Sequence, residues 1–136
     1  ISGPLLDRID IQCEISPLPF KDLSKAEQGE SSANIRERVL KARSIQTERF
    51  KNYPNIHCNA QMSERMIHEF AEPDEQSLEI LRKAMESLKL SARAYNRILK
   101  VARTIADLEA SPKVQVHHIA EAIGYRSLDR GDWGER

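Results

Sequence analysis

Few residues in this 136-residue chain are spaced as catalysis or metal binding demands. His57-Cys58 and His117-His118 are the metal-like pairs, but adjacent residues on a helix point in different directions, so neither is read as a ligand set. No Gly-x-x-x-x-Gly-Lys-Ser/Thr segment occurs and the five glycines are scattered, so nothing here is built to cradle nucleotide phosphates. No Ser/His/Asp or Cys/His arrangement has a supporting signature. What remains is arginine chemistry. A guanidinium is planar, always protonated and able to give two donors at once to a phosphoryl group as negative charge gathers on it. Arg93 falls near the start of a helix opened by Ser91, where free backbone N–H groups and the dipole also favour an anion. By spacing alone, Arg93, Arg97 and Lys100 read equally as an ordinary solvated basic stripe.

The elements that must position such residues are mostly helices. Ile9, Ile11, Cys13 and Ile15 alternate with Asp10, Gln12 and Glu14, the period of a half-buried strand. Residues 16 to 32 are polar and rich in Pro, Gly and Ser and are expected to be a mobile linker. Ser32 can cap a helix to about Phe50, with Ile35, Val39, Ala42 and Ile45 inward and Arg36, Arg38, Lys41, Arg43, Arg49 and Lys51 on its other faces. That basic face suits either phosphates of a nucleic acid or plain water. A loop holding Pro54 follows, then a short helix from Ser63 to Phe70 and another from Pro73 to about Lys89, lined by Leu78, Leu81, Met85 and Leu88. In the helix after Ser91, Ala94, Ile98, Val101, Ile105 and Leu108 form a stripe widened by Tyr95, Leu99, Ala102 and Ala106, so it should be central. A last helix spans about Val116 to Tyr125. The expected fold is all-α, a small helical bundle preceded by one orphan strand. Without a sheet, that strand should fray or pair with another copy of itself.

Composition limits the function classes. Lys plus Arg and Asp plus Glu both number 21, so no global field marks the chain as a dedicated nucleic-acid binder, and a binding surface must be local. Cys13 and Cys58 stand far apart, which suits a reducing compartment rather than a disulfide scaffold. With no long apolar run, a cytoplasmic protein without a membrane partner is expected. The opening Ile1-Ser2-Gly3-Pro4, which lacks an initiator Met, is expected to continue from an upstream sequence.

Gly3-Pro4-Leu5-Leu6-Asp7-Arg8-Ile9-Asp10 resembles the Leu-Leu-x-Arg-Phe-Asp stretch of magnesium-chelatase and MCM-type AAA+ proteins, with Ile9 in place of Phe. Ser91 to Leu108 resembles the sensor-2 helix of the ComM-like, magnesium-chelatase-like AAA+ ATPases. So do Asn59-Ala60-Gln61-Met62, His118 to Ile123, and Tyr125-Arg126-Ser127-Leu128-Asp129-Arg130. The resemblance implies that residues 1–15 end an ATPase core, 16–31 link, 32–125 form the helical lid and 126–136 a tail. It implies that Arg8 is an arginine finger acting in trans on a neighbour's ATP and that Arg93 is sensor 2, reading the γ-phosphate in its own subunit. The full-length protein would use ATP and Mg2+, assemble as a homo-oligomeric and probable hexameric ring, and work on DNA by branch migration in uptake and recombination. The fragment alone, lacking the phosphate loop, is not expected to hold ATP. Two other readings stand beside this one: the ATPase subunit of magnesium chelatase, and a non-enzymatic helical module that binds DNA or protein.

Overall fold

The computed structural model describes residues 2–25 and 29–126. Seven α-helices run through them: α1 (Gly3–Asp7), α2 (Phe20–Ser24), α3 (Ser32–Arg49), α4 (Glu64–Phe70), α5 (Glu75–Ser87), α6 (Ala92–Leu108) and α7 (Val116–Gly124), with a 3-10 turn at Asn59–Gln61. Side-chain oxygens of Ser31, Ser63, Asp74 and Ser91 accept backbone N–H groups at the starts of α3, α4, α5 and α6, which is why the helices begin where they do. The cap of α3 is thus Ser31, one residue before the expected Ser32. Pro4 stands in the first turn of α1, where its missing N–H costs nothing.

The bundle is organised around α6, which packs on α3, α4, α7 and the 3-10 turn, while α5 packs on α7. Its buried face is Ala94, Ile98, Leu99, Ala102, Arg103, Ala106 and Asp107. Ala94 and Ile98 belong to the predicted stripe and Leu99, Ala102 and Ala106 to the residues that widen it, whereas Val101 and Ile105 are half-buried and Leu108 is exposed. Phe50, Met62, Met66, Ile67, Leu81, Ile119 and Ala122 complete the core. Phe50 and Phe70 meet edge to face at 5.7 Å, with Tyr53 edge-on to both, an arrangement aromatic rings favour. In α3 the expected inward stripe does not hold. Ile35 and Val39 are exposed, and Ala42 and Gln46 are the buried residues, because the contacts of this helix lie toward its C-terminal half.

The orphan strand is not present. Residues 9–15 form no regular element, and no strand occurs among the described residues. A strand exists only through a ladder with a partner, and the surfaces available here are helix ends. The expected alternation of burial is accordingly lost: Gln12 alone is buried in this segment, while Ile15 is 90% exposed. The backbone N–H of Gln12 donates to Tyr125 O at 2.8 Å, and its side-chain amide donates to Leu6 O at 3.0 Å. Through Gln12 the segment docks on its own chain. The expected linker contains α2, whose residues are all exposed; the expected tail beyond Arg126 lies outside the described residues.

Candidate functional site

Arg8 is the C-cap of α1, where its backbone N–H donates to Leu5 O and Leu6 O, and its side chain is exposed. Arg93 is exposed in the first turn of α6. The two are 85 positions apart in sequence, yet Ser91 Oγ donates to Asp7 Oδ1 at 2.7 Å, so the residue before Arg8 sits on the cap of the helix that carries Arg93. The same hydroxyl accepts Ala94 N–H at 3.1 Å. Both arginines thus belong to the N-terminal end of α6, where the first N–H groups lack intrahelical acceptors and the dipole is positive. An anion already occupies that end: the carboxylate of Asp7. Neither the Arg8 nor the Arg93 side chain has a hydrogen-bond or ion-pair partner among the described residues.

The other arginines near α6 are engaged. Arg97 pairs with Asp10. Arg126, 1% exposed, donates to Ile9 O at 2.7 Å and Asp7 O at 3.0 Å. At the opposite end of α6, Arg49 grips Asp107 with two bonds of 2.6 and 2.8 Å. Asn59 donates to Asp107 at 2.8 Å and to Thr104 at 3.0 Å, and accepts from Arg49 at 2.9 Å. Arg103 lies 3.1 Å from Asp107 and donates to the carbonyls of Phe70, Ser111 and Pro112. Burial lowers the pKa of Arg103, Asp107 raises it again, and Arg49 pushes it down. This network ties α3, the 3-10 turn and the loop after α6 to one carboxylate. Sequence reading treated Arg49 as part of a basic surface and did not single out Arg103 or Asp107. The available signal was their position on the widened apolar face.

His117 and His118 do converge, contrary to the expectation from helical direction, because both reach the Glu109 carboxylate that precedes α7. Their rings are 4.0 Å apart, His117 Nε2 lies 2.8 Å from Glu109, and His118 Nε2 bonds the same carboxylate. Potential ligand atoms of the three residues all lie within 4.8 Å of one another. The chemistry of His118 argues against a metal. Its Nδ1 accepts Gln115 N–H at 2.9 Å, which places the proton of the neutral ring on Nε2 and leaves that nitrogen no lone pair for a cation. The cluster is a helix cap. It holds the Glu109 pKa below the ordinary glutamate value, mainly through His118 and then His117. A carboxyl depressed in this way stabilises the fold above its unfolded-state pKa, and that contribution is lost as pH falls through the folded-state value. Urea midpoints measured across the acid range should therefore fall less steeply for Glu109→Gln than for the parent; equal slopes would contradict this role.

A shallow cleft of about 400 Å³ lies between the docked segment and the α6–α7 pair, lined by Ile11, Val101, Ile105, Leu108 and Tyr125, with Lys100 and Glu121 also on its wall. No helix among the described residues is long and apolar enough to cross a membrane.

Residues 29–126 match the family model described as magnesium chelatase, subunit ChlI C-terminal. The chain belongs to this magnesium-chelatase C-terminal family. Within it, the ComM-like character is carried by similarity to the competence protein ComM of Haemophilus influenzae, 43% identical over 131 residues, which are 96% of this chain and 25% of that protein. The YifB proteins of Salmonella typhimurium and Escherichia coli are each 40% identical over the same share of the chain and 25% of their own length. The chain spans about a quarter of the length of these relatives. Family membership covers α3 to α7, including Arg93 and the Arg49–Asp107 network; the segment bearing Arg8 precedes the matched residues but falls in the part aligned with relatives over most of the chain.

Proposed function

We propose that this chain is the helical lid of a ComM-like AAA+ ATPase, with Arg93 reading the γ-phosphate of ATP in its own subunit and Arg8 completing the site of a neighbour. The full-length protein would bind ATP and Mg2+ through an upstream core, form a hexameric ring as the family resemblance implies, and couple hydrolysis to branch migration of DNA. The observation that carries this reading is the Ser91–Asp7 contact of 2.7 Å. It brings the segment that bears Arg8 onto the N-cap of the long helix that carries Arg93, where the free backbone N–H groups and the dipole favour an anion. The rigid network at the far end of α6 supports the reading further, since a lid must move as one body to pass on what Arg93 senses.

The description of the matched family favours one alternative, a magnesium chelatase ATPase that drives metal insertion into a porphyrin. The two readings share their arginines and separate on the substrate that stimulates hydrolysis. In the full-length protein, Arg93→Ala should lower ATP turnover by about a hundredfold, the scale for removing one donor to a developing phosphoryl charge, and weaken ATP-dependent lid closure. Steady-state ATPase assays with branched DNA present and absent test both points. Unchanged turnover in Arg93→Ala, or an upstream sequence without a phosphate-binding loop, would defeat the proposal.

A further inference from the structure

The two peptide carbonyls that flank Arg8, those of Asp7 and Ile9, are both held by one buried guanidinium. Arg126 donates Nη1 to Ile9 O at 2.7 Å and Nη2 to Asp7 O at 3.0 Å, with Nη2 also 3.6 Å from the Asp7 carboxylate. Its side chain is completely buried. This is an expensive use of an arginine, because desolvating a guanidinium is worthwhile only where its donors are met with good geometry. A planar fork spanning two carbonyls on either side of one residue fixes the backbone of that residue in both position and direction. Three further contacts hold the same segment on the bundle: Arg97 pairs with Asp10, Ser91 bonds Asp7, and Gln12 N–H donates to Tyr125 O. Leu6, also buried, anchors the start.

We infer that Arg126 and Arg97 are positioning residues that fix the backbone of Arg8 against the helical bundle. The inference rests on the proposed role of Arg8 at a neighbouring nucleotide. Arg126 touches no nucleotide in this scheme; it acts only through the backbone it grips.

The experiment uses the full-length protein and two readouts, hydrogen exchange at the Gln12 amide and steady-state ATPase kinetics, in Arg126→Ala, Arg97→Ala and the charge-swapped pair Arg97→Asp/Asp10→Arg. Exchange at Gln12 should rise in Arg126→Ala while amides of α6 stay protected. Turnover should fall by about a hundredfold, the scale of an ångström-sized misplacement of a reacting group, with KM and ATP affinity near their parent values. Arg97→Ala should show the same pattern more weakly, and the swapped pair should recover most of what Arg97→Ala loses; this exposed pair keeps the test alive if Arg126→Ala does not fold. Released exchange with parent turnover, in a protein where Arg8→Ala is still inactive, overturns the inference. Should Arg8→Ala prove fully active, the arginine-finger reading has failed, and the clamp is judged on exchange alone: a Gln12 amide as protected without Arg126 as with it overturns that too.

Discussion

Arg8→Ala in the full-length protein should leave ATP binding close to that of the parent while cutting hydrolysis by about a thousandfold or more, the range in which arginine fingers operate. Binding survives because the finger acts on a neighbour's nucleotide and contributes mainly as charge develops on the transferred phosphoryl group. Arg93→Ala should instead damage the pocket of its own subunit. Mixing the two variants separates the roles, since an Arg8-deficient subunit keeps a competent pocket that a neighbour's Arg8 can complete. ATPase rate plotted against mixing ratio, under conditions where subunits exchange, should rise above the average of the two pure variants. A flat line despite demonstrated mixed rings would remove the trans role and leave Arg8 as a brace. The placement of Arg8 matters to this experiment. Its segment docks on the bundle through Asp7, Ile9, Asp10 and Gln12, while its guanidinium stays exposed.

Asp107→Ala should cost about 3–5 kcal/mol of folding stability, the typical penalty for breaking a buried ion pair from one side. Asp107 is 1% exposed and Arg103 3%, and Arg49 is largely covered. Removing the carboxylate therefore leaves two positive charges facing each other in a poorly solvated space, and it strips Asn59 of an acceptor. For a domain whose total stability lies in the range of about 5–15 kcal/mol, such a loss brings unfolding within reach of mild conditions. Urea denaturation followed by circular dichroism measures it. Asp107→Leu combined with Arg49→Met should be more stable than Asp107→Ala alone, because it fills the space and leaves one charge, that of Arg103, without its carboxylate rather than two. If Asp107→Ala unfolds at the parent's urea midpoint, the network is not holding α6 in place. The exposed pairs of Arg82 with Glu79 and Glu86 provide the contrast, since water screens them and their loss should matter little.

The five main helices were legible because their signals are local. Ser63 and Ser91 open α4 and α6 as read, while α5 is capped by Asp74, one residue after the expected start at Pro73, and apolar spacing near 3.6 residues marks helical faces within one or two turns. The family, too, was legible, from the run Ser91 to Leu108 and the shorter motifs around it. The type of element was missed at α1 and α2, each too short for a periodic pattern, and at Ile9 to Ile15, whose partners lie far away in sequence. Ile9 to Ile15 has the alternation of a strand, but alternation states a preference for a pleated surface and cannot supply one. In its place Arg126 and Tyr125, more than a hundred positions later, offer donors and an acceptor to the carbonyls and amide of this segment.

Which face of a helix is buried was decided the same way. Ile35 and Val39 have the apolar character of a core, and they stand exposed because nothing among the described residues packs on that half of α3. Arg49, Arg103 and Asp107 have the character of a surface, and they are buried because each satisfies the others and the carbonyls around them. Periodicity and capping thus determined that the chain is mostly a small helical bundle, and the resemblance of Ser91 to Leu108 and the shorter motifs pointed to its family. Only the tertiary structure decided where its charges lie, since a charged side chain is buried or exposed according to whether partners from distant segments arrive to replace its water, and no local pattern records their arrival.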